Sequence, residues 1–307
     1  MYSIINGNCQ EVLSTYGENT FHSCITDPPY GMGMDEWDHS VPSIEIWREV
    51  YRTLKPGGFC LSFCSPELYH RMAVNVEDAG FMIKDQIMWM TTTKMPKQNR
   101  LKPAHEPIVV AQKPYLGSLK SNYEKWGCGL IDTDTTRIAW EKEPPKGWVK
   151  GGSKRRVFGG IQNKACDLIT REEVWIDPST NEPIKKELTG ANDAGRYPSN
   201  IIGEVQSEHQ KYFYAPRATR KEKGSDNDHP TVKPIDLMAY LIRVYSPTGT
   251  TVLDPFCGSG TTGVAAVQND RDFVGIDLSK HYTDIATRRC AVEEVSQEWL
   301  NPLEQVL

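Results

Sequence analysis

A doubly wound α/β fold, with a mostly parallel sheet and a region inserted into it, is predicted by three observations. Apolar runs alternate with helical patterns through residues 1–90, the same rhythm returns after Pro234, and a glycine-rich turn there joins a strand to a helix. Strands that alternate with helices pair in parallel and are covered on both faces, so the apolar runs need no polar side.

The elements follow in order. Tyr2–Asn6 reads as a strand, Gln10–Ser14 opens a helix, and Thr20–Thr26 is an apolar strand ending at Asp27. Helical spacing of Ile44, Trp47, Val50, Tyr51 and Leu54 predicts a helix that stops at Lys55-Pro56-Gly57-Gly58, where proline and glycine forbid continuation. Phe59–Cys64 is a buried strand, Glu67–Ala79 a helix and Phe81–Met90 a strand. After the middle zone come helix Ile235–Tyr245, strand Thr251–Leu253, helix Thr261–Gln268, strand Phe273–Ile276 and helix Lys280–Glu294. Three zones are therefore expected: 1–90 and 229–307 form one domain, and 91–228, too long for a loop, is inserted between them.

The net charge of −5 conceals an asymmetry. Residues 91–228 hold 24 Lys and Arg against 18 Asp and Glu, while the remainder holds 11 against 22. A basic module facing phosphates on an acidic body fits that distribution. Within it, Lys150, Lys154, Arg155 and Arg156 bracket a Gly-Gly-Ser joint and are the expected contacts to a phosphate backbone. The tryptophans of this zone, Trp126, Trp140, Trp148 and Trp175, are expected in a core rather than as base-stacking platforms. The eight cysteines include no Cys-x-x-Cys pair, so reduced, mostly buried thiols and no metal are expected. No run is long and apolar enough for a membrane span, and Met1–Asn6 lacks the features of a signal peptide, so a cytoplasmic protein is expected.

Two motifs carry chemistry. Asp254-Pro255-Phe256-Cys257-Gly258-Ser259-Gly260-Thr261-Thr262 follows a strand and opens a helix, so the backbone can approach a ligand closely and offer free N–H groups to it. Asp277 ends the next strand, where a carboxylate can accept both hydroxyls of a ribose. This pattern also fits a nicotinamide or flavin oxidoreductase, whereas a P-loop is excluded because no Gly-Lys-Ser/Thr follows. The second motif, Asp27-Pro28-Pro29-Tyr30, stands at the carboxyl edge of the sheet, where open α/β folds place ligands. Two prolines stiffen the turn and remove two N–H donors. An exocyclic amino group is a poor nucleophile because its lone pair belongs to the ring. The Asp27 carboxylate and the Pro28 carbonyl, accepting its two hydrogens, would localise that pair and aim it at a sulfonium methyl, while Tyr30 offers an aromatic face to an extruded base.

In this order the motifs resemble the amino-group DNA methyltransferases in their β arrangement, with the catalytic tetrad ahead of the cofactor loop. Ile5-Asn6-Gly7-Asn8-Cys9-Gln10-Glu11-Val12-Leu13 is similar to the family's N-terminal block, and His229-Pro230-Thr231-Val232-Lys233-Pro234 to the block before the methionine-side helix. The resemblance implies S-adenosylmethionine as cofactor, wrapped by Asp254 through Thr262, with its ribose on Asp277 and its methionine end near Thr231 and Lys233. Asp27 then lies at the junction of cofactor and substrate. Where the family carries Asp this chain has Asn8, whose oxygen is expected to accept from the cofactor's adenine amino group. His229 is expected to position the turn after it rather than to act as a base. The implied substrate is adenine N6 in double-stranded DNA, since an Asp-first tetrad resembles the adenine enzymes, with cytosine N4 as the alternative. The target-recognition region is implied within 91–228, and homodimers are common in this arrangement. An oxidoreductase leaves the tetrad and the Lys233 block unexplained; a catalytically idle DNA-binding protein is the other alternative.

Overall fold

The structure, a computed structural model, describes residues 1–33, 38–91, 104–138, 148–149, 188–189, 198–203, 218–223 and 226–291. The chain runs β1 (Tyr2–Asn6), α1 (Cys9–Ser14), β2 (Phe21–Thr26), α2 (Ile44–Thr53), β3 (Leu54–Phe63), α3 (Tyr69–Asp78), β4 (Met82–Met90), β5 (His105–Gln112) and α4 (Leu119–Trp126). It continues through β6 (Trp148–Val149), β7 (Leu188–Thr189), β8 (Ile201–Gly203), α5 (Arg220–Lys223), α6 (Ile235–Tyr245), β9 (Thr251–Asp254), α7 (Thr261–Gln268), β10 (Asp272–Asp277) and α8 (Lys280–Ala291).

Eight strands form one sheet in the order β1-β10-β9-β2-β3-β5-β4-β8. Neighbours pair in parallel from β1 to β3, β5 runs antiparallel to both β3 and β4, and β8 lies parallel to β4. Side chains alternate between the two faces, as the period of a strand requires. Ile25, Leu61, Ile108 and Val252 pack with α6 and α7 on one face, while Cys24, Cys60, Val109 and Leu253 pack with α1, α2 and α3 on the other. The helix α6 is buried nearly all round; its Leu237, Leu241 and Ile242 are fully covered, each contributing about 1.5–3 kcal/mol of apolar burial.

The strand pattern outlasts residue 90. Chain contacts divide the protein into a unit of Met1–Ile138 with Tyr197–Leu307 and a unit of Ala139–Arg196. Hence β5, α4 and β8, all expected inside the insertion, belong to the sheet-bearing unit, and the insertion is narrower than 91–228. Pro107 explains why β5 escapes a sequence reading: a proline argues against a central strand, yet here its carbonyl accepts from the Cys64 amide at 3.0 Å. In the second unit, β6 and β7 pair antiparallel with Trp148 opposite Thr189.

Cys9, Cys24, Cys60, Cys64, Cys128, Cys257 and Cys290 are free thiols and buried, as expected; Cys166 lies outside the described residues. Among the described residues, no helix is long and apolar enough to cross a membrane.

Candidate active site

The adjacent strands β9 and β2 continue in opposite directions across the sheet, β9 through α7 to β10 and β2 through α2 to β3. Their carboxyl ends therefore part at a switch point, which is where ligands settle in this fold class. A cavity of about 450 Å³ opens there, within the range of small-molecule sites. It is lined by Asn8, Asp27, Pro28, Pro29, Tyr30, Thr231, Lys233, Asp254, Pro255, Phe256, Cys257, Gly258, Ser259, Thr261, Thr262 and Asp277. Of the described residues expected at the site, Gly260 alone is off the wall. It caps α7 at φ 83°, and a Cβ there would meet Ala286 of α8 at 2.6 Å, so its role is helix packing.

Backbone amides and hydroxyls organise the glycine loop around two carboxylates. Asp277 accepts from the Gly258 amide at 2.9 Å and the Ser279 amide at 2.8 Å, one on each oxygen. Each oxygen keeps a further lone pair for a ligand. Asp254 accepts from the hydroxyls of Thr26 at 2.7 Å and Thr262 at 2.6 Å and from the Phe256 amide at 3.1 Å. It is thus turned into the protein and ties β2, the loop and α7 together. Burial, partly offset by these donors, lifts its pKa to about 6. Burial also raises that of Asp277.

Gly258 has φ 48° and lies against the His229 ring, 2.7 Å from where a Cβ would stand. His229 accepts from the Thr231 amide at 3.3 Å through Nδ1, and burial beside Lys233 and Arg289 lowers its pKa to about 4. It is a neutral ring that shapes the turn, as expected from the sequence.

Asn8 is placed differently from the expectation for its oxygen. Oδ1 accepts from the amides of Gln10 at 2.9 Å and Glu11 at 3.4 Å, capping α1, so the group it presents elsewhere is its NH₂. Asparagine is a strong cap, and a flipped amide would set its NH₂ against two backbone donors.

The tetrad follows β2. With no N–H on Pro28 or Pro29, the next three amides, Tyr30, Gly31 and Met32, all go to the carboxylate of buried Asp38, at 2.7, 2.7 and 3.1 Å. That clamp holds the turn beneath its side chains. The Tyr30 hydroxyl donates to Asp27 Oδ1 at 2.6 Å and lies 3.3 Å from Glu106 Oε2. Lys233 forms an ion pair with Asp27 Oδ2 and lies 3.7 Å from the same Glu106 oxygen. Burial raises the pKa of Asp27, Lys233 and Tyr30 counter it, and Glu106 adds to it. Burial opposes the Lys233 charge, but the carboxylates of Asp27 and Glu106 prevail and hold the ammonium above its ordinary value.

Several cavity residues escaped the sequence reading. Leu278, 70% exposed, is an apolar side chain beside Asp277, and Val41 and Pro42 ahead of α2 and Ile46 in its first turn supply further wall. Glu106, an acid at the head of an apolar strand, was the one signal open to pattern reading. Lys150, Lys154, Arg155 and Arg156, the expected DNA contacts, lie outside the described residues, as do Trp140 and Trp175.

Residues 21–288 match the family model N6_N4_Mtase, described as DNA methylase. The type II methyltransferase M.HindIII of Haemophilus influenzae is 24% identical, over 95% of this chain and 96% of that one. The crystal structure of the M1.HpyAVI–SAM complex has a TM-score of 0.52 at 20% identity, covering 95% of this chain and 100% of that one. The PvuII DNA methyltransferase, cytosine-N4-specific, has a TM-score of 0.58 at 14% identity, covering 99% and 92%. At such identities the two structures establish a shared fold. The family match, which runs from β2 almost to the end of α8, carries more: the chain belongs to the DNA methylase family, S-adenosylmethionine-dependent methyltransferases of the N6-adenine/N4-cytosine class.

Proposed function

We propose that this protein methylates N6 of adenine in double-stranded DNA, taking the extruded base against Tyr30 and holding its amino group at Asp27. The observation that carries the reading is the shared cavity. The Asp27–Tyr30 turn and the Gly258–Asp277 cradle face one space, from the ends of β2, β9 and β10.

The cradle fits the cofactor. Asp277 has lone pairs left for two ribose hydroxyls, Gly258 lets the backbone lie close, and Leu278 and Phe256 offer apolar surface to a flat heteroaromatic ring. S-adenosylmethionine supplies a methyl group activated by its sulfonium charge. Asp27 accepts one amino hydrogen and the Pro28 carbonyl the other, which turns the nitrogen lone pair out of the ring system. Bonding of that nitrogen to the methyl would leave the electrons of the broken sulfur–carbon bond on sulfur, and one proton would leave the nitrogen for solvent. Adenine is favoured over cytosine because the tetrad begins with Asp.

Duplex DNA incubated with isotopically labelled S-adenosylmethionine, digested to nucleosides and analysed by mass spectrometry, tests the substrate. Labelled N6-methyladenine is expected; N4-methylcytosine instead would replace the base assignment, and no labelled nucleoside would remove the activity. We also assign Lys150, Lys154, Arg155 and Arg156 to the phosphate backbone. Replacing Lys154, Arg155 and Arg156 by Ala is expected to weaken cognate and noncognate DNA together and to flatten the salt dependence by about 1 to 3 in log–log slope. An unchanged slope removes that assignment.

A further inference from the structure

We propose that Glu106 is a second seat for the Lys233 ammonium, to which it moves when Asp27 Oδ2 receives the amino group of the target base. The inference rests on the reading of Asp27 given above and adds a positioning residue to it.

Both oxygens of Asp27 already have partners, the Tyr30 hydroxyl on Oδ1 and Lys233 on Oδ2. An ammonium on the oxygen that must accept an amino hydrogen weakens that contact, by taking one of the oxygen's two lone pairs and withdrawing charge from the other. The amino hydrogen is therefore held best when Lys233 leaves Oδ2. It cannot leave for water, because its side chain is only 8% exposed, and a buried ammonium needs an anion wherever it rests. Glu106, whose side chain is 12% exposed, provides one 3.7 Å away. A shift of about 1 Å at the end of a flexible side chain turns that separation into a hydrogen bond. Tyr30 lies between the same two carboxylates, so both donors can follow the same exchange. The exchange separates no charge, since two carboxylates and one ammonium remain together throughout.

Strand pairing explains why Glu106 can serve. It sits on β5 opposite Trp89, with β3 on the other side, and shares its face with Ile108 and Val110, which pack in the cluster containing α6. Lys233 stands just ahead of α6, so the carboxylate is carried beneath it by a strand inside the sheet.

The test is a pH–rate profile under saturating DNA and cofactor. Among the described residues, the charged or titratable groups around Asp27 are Tyr30 on its own turn, Lys233 before α6, Glu106 on β5, Cys64 after β3 and Asp254 on β9. Glu106→Gln is expected to lower kcat roughly tenfold or more while S-adenosylmethionine affinity, measured by calorimetry, stays within about threefold. Its acid limb is expected to move to lower pH, because Asp27 loses a like-charged neighbour. Parental rates at every pH, or a uniform loss with the limb unmoved, overturn the inference. If Glu106→Gln fails to bind cofactor, Glu106→Asp carries the test: the limb stays in place, the plateau falls, and a parental plateau overturns the inference. Asp27→Ala run in parallel separates the two readings. Retained turnover there removes the role of Asp27 itself, whereas an inactive Asp27→Ala beside a parental Glu106→Gln removes only the second seat.

Discussion

The two halves of the cavity are held by different kinds of bond. On the cradle side, Asp277 is satisfied by two backbone amides, and Asp254 by one amide and the hydroxyls of Thr26 on β2 and Thr262 on α7. On the tetrad side, Asp27, Tyr30, Glu106 and Lys233 satisfy one another, side chain to side chain, across segments far apart in sequence. Bonds to backbone amides, and to short hydroxyls set on a strand and a helix, fix a shape, whereas bonds among longer charged side chains can be exchanged. The cradle is therefore suited to holding a cofactor that arrives whole, and the tetrad to a reaction in which partners change. If so, substitutions in one half change binding and substitutions in the other change turnover.

The largest expected effect is on turnover. Asp27→Ala is expected to lower kcat by on the order of a thousandfold or more, because the acceptor that localises the nitrogen lone pair is lost. S-adenosylmethionine binding is expected to stay within a few-fold of the parent. Calorimetric loss of both together would mean that Asp27 belongs to the cradle, and the contrast between halves would fail.

Asp277→Ala is the mirror experiment. Losing a charged acceptor for two hydroxyls, worth about 1.5–3 kcal/mol, is expected to raise the cofactor's dissociation constant by one to two orders of magnitude. With cofactor saturating, kcat is expected to remain near parental. Normal cofactor affinity in this variant would remove Asp277 from the ribose.

How far each half can be read from sequence follows from the same difference. The cradle was legible because its parts are contiguous: a glycine loop between a strand and a helix, then an acid at the end of the next strand. The tetrad was legible only as Asp27–Tyr30. Its Glu106 partner lies on a proline-bearing strand that sequence patterns place outside the domain, and Lys233 was expected at the cofactor's methionine end rather than on Asp27. Asp38 offered even less, since an acid after a glycine-containing turn gives no sign that three amides converge on it. Asn8 shows the remaining limit. A side chain at the expected place can spend its key atom on a local task, here the cap of α1.

Tyr30 sharpens the contrast at smaller amplitude, because it contributes a ring and a hydroxyl that can be removed separately. Tyr30→Ala loses the stacking face, worth about 1–3 kcal/mol per base on aromatic platforms, and is expected to weaken duplex binding or turnover the most. Tyr30→Phe keeps the face and loses the donor to Asp27, so it is expected to bind DNA like the parent and turn over several-fold more slowly, an effect of about 1 kcal/mol. Equal losses in the two variants would count against stacking.

The smallest effect on turnover is expected at Asp254, and it is a pH effect on stability. Its folded pKa of about 6 stands above the ordinary 3.8, so the folded protein holds this proton more tightly than the unfolded chain does. A raised carboxyl destabilises the fold when ionised: the penalty is absent below about pH 4, grows between pH 4 and 6, and is complete above that. Asp254→Asn removes the ionisation and keeps an oxygen for Thr26 and the Phe256 amide, while Thr262 can turn its hydroxyl to accept from the new NH₂. Parent and variant are therefore expected to unfold at similar denaturant concentrations near pH 4. The variant is expected to gain on the parent as pH rises, by on the order of 1–3 kcal/mol at neutrality. Cofactor affinity and kcat should change less than in any variant above, because this carboxylate faces the protein. A stability difference that stays flat from pH 4 to 7 would mean that Asp254 titrates normally, and that the three donors around it offset its burial in full.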